Sequence, residues 1–307
     1  MCIKNHTQSK FLFHTLGYSA YILTTKGEGI MQQNTSKYLI IGATGKTGSR
    51  VYNKLAAQGL NVKGASRHGE VHFDWRAPET WGSSLVDIDA VYLTYYPDLA
   101  IPEAPEDIAK FCALAKIKGV KHITLLSGRG EPAAQVCEEL VQTSGLSSTV
   151  VRASWFNQNF SEGMFRDFID AGTIALPVGA VTEPFIDVDD ICDVVVASLL
   201  EGKHNGKLYE VTGPELLSFG QLADTFTQVL NRPVNFIQIS QNEFVTQMQS
   251  IGVDPKAIEM LTYLFTEVLD GRNEYVVDGV EQALGRPAKR FTEFVVDNLQ
   301  AFSGGSQ

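Results

Sequence analysis

Three glycines, Gly42, Gly45 and Gly48, recur at three-residue spacing in "IIGATGKTGSR" (Ile40–Arg50), directly after a β-branched apolar run. Without side chains in the way, backbone N–H groups can close on an anion, so the stretch is equipped to hold phosphate. Two phosphate signatures overlap in it. Gly45-Lys46-Thr47 matches the end of a triphosphate loop, but that loop needs a glycine at position 40, which is Ile40. That register fails. The dinucleotide register holds: Gly42 makes the tight turn, Gly45 lets backbone approach a pyrophosphate, and Gly48 lets the following helix sit close to the sheet. Ala43, Thr44, Lys46 and Thr47 fill the loop, and the helix N-terminus turns its free N–H groups and positive dipole end on the phosphates.

A carboxylate about 20 residues further on would bond a ribose 2′-hydroxyl and favour NAD. Here the second strand ends in Ala65-Ser66-Arg67-His68, with no acid before Glu70. Arg67 can fork onto a 2′-phosphate with Ser66 donating beside it, so NADP(H) is expected over NAD(H).

Positioning such a loop needs a strand before it and a helix after it, and the pattern supplies both. "KYLII" runs into Gly42, and Thr47 to Gln58 carries Val51, Leu55 and Ala56 at helical spacing before Gly59. "NVKGAS", "VHFDW", "AVYLTYY", "HITLLS" and "STVVRAS" read as further strands, with helices over Asp107 to Lys118 and Ala134 to Thr143. The alternation predicts an α/β fold, a Rossmann-like doubly wound parallel sheet. Later segments read differently. "NFSEGMFRDFIDAG" is helical, "EPFIDVDDICDVVVASLLEG" is a short strand and then a helix, and Ser218 with Gln221 forms a capping box. Asp278 with Glu281 repeats that device ahead of a helix ended by Gly285 and Pro287. The expected organisation is a dinucleotide-binding domain over 36–155. Residues 156–300 then complete the sheet and form a smaller, mainly helical substrate cap.

Residues 1–35 are expected to be a poorly ordered extension, with Met31 an alternative start. The apolar stretch "FLFHTLGYSAYIL" is too short to span a bilayer. With 25 Lys plus Arg against 35 Asp plus Glu, the net charge of −10 speaks against a nucleic-acid partner. The four scattered cysteines (Cys2, Cys112, Cys137, Cys192) form no metal or disulfide pattern and fit a cytoplasmic protein, monomeric or homodimeric, with no metal.

The glycine stretch, "ASR", "RASWFNQNF", "PFIDVDDICDVVVASL", "YEVTGPELLSFGQLA" and "LDGRNEYVVDGVEQALGRPAKRFTEFV" together resemble NmrA-like proteins, a branch of atypical short-chain dehydrogenases. The last of these is similar to the branch of festuclavine (ergot alkaloid) dehydrogenases. NAD(P)H:quinone oxidoreductase type 2 is a more distant neighbour. The resemblance covers about Lys37 to Leu299. It implies NADP along the strand ends and a substrate between sheet and cap. Asp74 and Trp75 would lie near the adenine, with Thr94, Tyr95 and Tyr96, and Ser127 and Gly128, near the ribose and nicotinamide. Trp155, Phe156 and Asn157 would floor the substrate cleft. Asp74 also reads as a plain helix cap, and Trp155 and Phe156 as plain core. Tyr95 and Tyr96 should point oppositely, so only one of them should face the cleft.

Ordinary short-chain dehydrogenases protonate their substrate with a Tyr and a Lys four residues later. No tyrosine of this chain has that lysine. The expected reaction is therefore hydride transfer to an acceptor needing little acid help, such as a quinone or an iminium ion. Tyr96, Ser127 and Asn157 remain the candidates to polarise a substrate. The same loss leaves open a regulatory protein that senses NADP and turns nothing over.

Overall fold

Strand β1 (Lys37–Ile41) is buried on both faces, Tyr38 and Ile40 joining one apolar cluster and Leu39 and Ile41 another. Successive side chains of a strand alternate sides, so an uninterrupted apolar run demands cover above and below. The structure, a computed structural model, describes residues 35–163 and 165–305. The N-terminal extension expected from the sequence, with Cys2 and Met31, lies outside the described residues.

From β1 the chain runs through α1 (Lys46–Ala57), β2 (Asn61–Ser66), β3 (Val71–His72), α2 (Trp81–Ser84) and β4 (Ala90–Leu93). Then come α3 (Ala104–Ile117), β5 (His122–Gly128), α4 (Pro132–Gln142) and β6 (Ser147–Ala153). After α5 (Phe165–Asp170), β7 (Thr173–Leu176), β8 (Thr182–Glu183) and α6 (Val188–Leu200), strand β9 (Leu208–Val211) returns to the main sheet. Its order is β3-β2-β1-β4-β5-β6-β9, and every neighbouring pair is parallel. This is the expected doubly wound Rossmann-like sheet, and its order reverses direction between β1 and β4. Ligands of such sheets bind at the carboxyl ends of the strands beside that reversal.

The remaining elements are β10 (Leu217–Ser218), α7 (Phe219–Leu230), β11 (Asn235–Gln238), α8 (Gln241–Ser250) and α9 (Pro255–Tyr263), then a π-turn over Leu264–Val268, α10 (Gly279–Leu284) and α11 (Phe291–Asp297). Ten of the chain's 17 phenylalanines are buried in one cluster built from α5, α7, α8, α11 and the π-turn, so this region is held by aromatic contact rather than by a sheet.

The structure departs from the sequence reading in several places. "VHFDW" pairs only over Val71–His72, because Phe73 and Trp75 turn into an aromatic cluster with Trp81 and Phe111. "NFSEGMFRDFIDAG" is not one helix. A 3₁₀ turn at Asn157–Asn159 precedes α5, as the poor helix propensity of Asn and Gly dictates. β9 went unread, being four residues long beside a polar loop. The Ser218 box forms, with Ser218 Oγ accepting from Gln221 N–H at 3.3 Å and Gln221 Oε1 from Ser218 N–H at 2.8 Å. The Asp278 box does not, because that carboxylate accepts the Gln282 side-chain amide instead.

Candidate nucleotide and acceptor site

Gly42 takes φ +73°, a left-handed conformation that favours glycine, and its N–H donates to the Ala65 carbonyl of β2. A Cβ there would lie 2.6 Å from Thr94 Oγ1, and that hydroxyl donates to the Ile41 carbonyl at 3.0 Å. The end of β4 thus locks the turn after β1. Gly48, one turn into α1, comes so near Gly42 that a Cβ would sit 2.1 Å from its carbonyl oxygen. Gly45 caps the helix in extended conformation without a side-chain cap, leaving the first-turn N–H groups to a ligand.

The turn opens on a cavity of about 590 Å³, within the range of small-molecule sites. Gly42, Thr44, Gly45, Lys46 and Thr47 border it, whereas Ala43 and Gly48 do not. Those two support the turn, Ala43 by packing against an apolar cluster that includes β1 and α1 residues and Gly48 by its absent side chain. Lys46 is half-buried beside Gly163, and burial lowers its pKa.

At the β2 end Ser66 and Arg67 border the cavity, as do His68 and Arg76, which the sequence did not single out. Ser66 Oγ is buried without a hydrogen-bond partner among the described residues. The Arg67 guanidinium stacks on the exposed Tyr96 ring, 4.6 Å from its centroid. Asp74 borders the cavity but is not the helix cap the sequence also allowed: its carboxylate closes a local turn on Arg76 N–H, and Ala77 precedes the 3₁₀ turn that follows. Trp75 is 7% exposed, and its indole donates to the Thr94 carbonyl at 3.0 Å. Strand alternation does not govern Tyr95 and Tyr96, because β4 stops at Leu93 and both rings border the cavity. Tyr95 turns its hydroxyl onto Asp107 at 2.7 Å, which with burial raises its pKa.

Ser127 and Gly128, at the end of β5, lie deeper. The Ser127 hydroxyl donates to Glu138 at 2.6 Å, and Arg152 holds the same carboxylate, so its proton is engaged within the structure. Asn157 is fully buried and does not border the cavity. Its backbone bonds Ile186, which turns its side chain inward, and Asn159 borders the cavity in its place. Trp155 and Phe156 do border it, Trp155 stacking on Phe265 with centroids 5.8 Å apart. Leu264 and Val268 of the π-turn close that wall.

Three acids beside the cavity were missed. Glu131 and Asp98 border the cavity, and Glu183 lies behind Ser154, whose hydroxyl donates to it at 3.1 Å. Burial, then the charge and hydrogen bond of Asp98, push Glu131 up to about 9, and burial pushes Glu183 up to about 7. Arg129 beside them is spoken for, donating to Glu210 and to the Asn273 and Tyr275 carbonyls. Loops after β4 and β5 at a sheet's carboxyl edge were the signal available in the sequence.

The NmrA-like family profile matches residues 134–298, more than half of the chain. The chain belongs to the NmrA-like family. Among curated relatives, agroclavine dehydrogenase of Claviceps fusiformis is 31% identical over 283 residues, spanning 85% of this chain and 96% of that protein. NAD(P)H azoreductase of Xenophilus azovorans is 28% identical, spanning 86% and 98%. Triphenylmethane reductase of a Citrobacter species, solved in complex with NADP(H), superposes with a TM-score of 0.69 at 19% identity, covering 85% of this chain and 99% of that one. This NmrA-like chain therefore sits in an oxidoreductase-type family on a Rossmann-like fold. No helix among its described residues is long and apolar enough to cross a membrane.

Proposed function

We propose that the chain is a reductase that passes hydride from NADPH to a small, largely apolar acceptor such as a quinone or an iminium ion. One observation carries this reading. A single cavity joins the glycine turn, at its β1 end, to an apolar wall of Trp155, Phe156, Leu264 and Val268. When bound, the dinucleotide supplies the hydride. The chain's own part is to seat the pyrophosphate on the α1 N-terminus and to hold the acceptor flat against the aromatic wall.

The preference for NADPH rests on Ser66 and Arg67. A buried hydroxyl without a partner is costly unless a ligand bonds it, and a 2′-phosphate beside an exposed guanidinium would do so. The related agroclavine dehydrogenase and azoreductase, by name, act on an alkaloid and on azo compounds, which fits an apolar aromatic acceptor. Purified protein incubated with NADPH and a panel of quinones and iminium ions, followed by nicotinamide absorbance, tests the reading. Turnover of at least one member is expected. NADPH binding without turnover on any of them would replace this reading with a nucleotide sensor.

A further inference from the structure

Asp98 and Glu131 come from the loops after β4 and β5, strands that lie side by side, so the sheet brings two carboxyl groups to the lining of one cavity. Glu131 is 6% exposed, and its Oε2 has no hydrogen-bond partner among the described residues. Its Oε1 lies against the last residue of β5: a Cβ on Gly128 would meet it at 2.2 Å. Asp98 is held in place by the Ala100 N–H, 2.8 Å from its Oδ1. The other titratable groups facing the pair are Tyr263, from α9, and Cys137, from α4, which faces Asp98. The nearby guanidinium groups are engaged elsewhere, Arg129 with Glu210 and Arg272 with Asp270. Glu131, buried and facing Asp98 with the nearby cations engaged elsewhere, keeps its proton well above the usual carboxylate range.

We propose that Glu131 is the proton donor of this site, with Asp98 holding the proton on it. The inference rests on the reductase reading. A neutral acceptor that takes hydride becomes an anion at oxygen or nitrogen. The Glu131 O–H bond breaks, and its proton passes to that atom. This leaves two facing carboxylates, and their repulsion is relieved when Glu131 regains a proton from water through the mouth of the cavity. A cationic acceptor becomes neutral on taking hydride and needs no proton. The site therefore serves both kinds without a Tyr and Lys pair, but only the neutral kind draws on Glu131.

Infrared titration of the unliganded protein tests the held proton directly. At pH 8, above the midpoint of Glu183, a protonated carboxyl band is expected that loses most of its intensity in Glu131→Gln and titrates with a lower midpoint in Asp98→Asn. A wild-type spectrum without that band overturns the proposal. With NADPH present, Glu131→Gln is expected to lower the ratio of quinone to iminium turnover about 100-fold, the scale of general acid catalysis. Wild-type quinone turnover should fall as pH rises through about 9, and that of the variant should be flat. An unchanged ratio overturns the proposal, and so does a ratio that falls in Glu183→Gln instead. Failure of the wild type to reduce either acceptor would defeat the reductase reading, and the infrared result would still decide where the proton sits.

Discussion

The Arg67 guanidinium lies over the Tyr96 ring, its central carbon 4.6 Å from the centroid, where the loops after β2 and β4 meet beside the cavity. An exposed stack of this kind is worth about 0.5–1 kcal/mol and fixes the plane of the fork without using its N–H groups. Those groups stay available to a phosphate. Arg67→Ala is expected to weaken NADPH binding by about 1.5–3 kcal/mol and NADH binding far less. Calorimetry with both nucleotides measures this. Equal losses would remove the 2′-phosphate assignment.

Gly45 and Gly48 separate two reasons for having no side chain. Gly45 has an extended backbone open to alanine, and a Cβ there meets Gly42 O at a tight 3.3 Å. Gly45→Ala should keep close to the wild-type melting temperature while losing nucleotide affinity, because the new methyl group stands where a pyrophosphate would approach. Gly48→Ala would gain about 1 kcal/mol of helix propensity in an open helix. Here the methyl group meets backbone at 2.1 Å, and a net loss of about 1–3 kcal/mol is expected. Thermal unfolding of the two variants decides it, and a stabilised Gly48→Ala would contradict the close seating of α1.

Glu183 should make stability depend on pH in a predictable direction. Burial raises its pKa from 4.5 to about 7 in the folded chain. Below pH 4.5 both states hold the proton and the group contributes nothing. Between 4.5 and 7 the unfolded chain releases it first, so folding loses stability as pH rises, and above 7 the cost is constant. Glu183→Gln removes this titration. Its stability relative to wild type should therefore climb between pH 4.5 and 7, by up to about 3 kcal/mol, and then level off. Urea unfolding across that range measures the difference, and a flat difference would mean that the carboxyl is ionised throughout.

Much of the fold could be read from local pattern, because its signals are local. A β-branched run ending in glycine makes β1 and its turn, and Ser218 with Gln221 marks the start of α7. The carboxyl pair was not legible in this way. Asp98 and Glu131 share no motif, and only the lateral order of β4 and β5 brings them together. Ser127 and Asn157 show the converse. Their places in the sequence suited a cleft, but Glu138 claims the hydroxyl of one and burial encloses the other. Partners from distant segments decided both.

The wide turn at Leu264–Val268 holds one residue more per hydrogen bond than an α-helix, and its first and last side chains form part of the wall facing the acceptor. Removing a single residue there would restore ordinary winding and shorten that stretch of the wall by one residue. Leu264 and Val268 would then lie closer along the chain, while the phosphate seat on β1 and α1 stayed untouched. The shape of this wall is thus adjustable by loop length as well as by substitution, apart from the glycine turn.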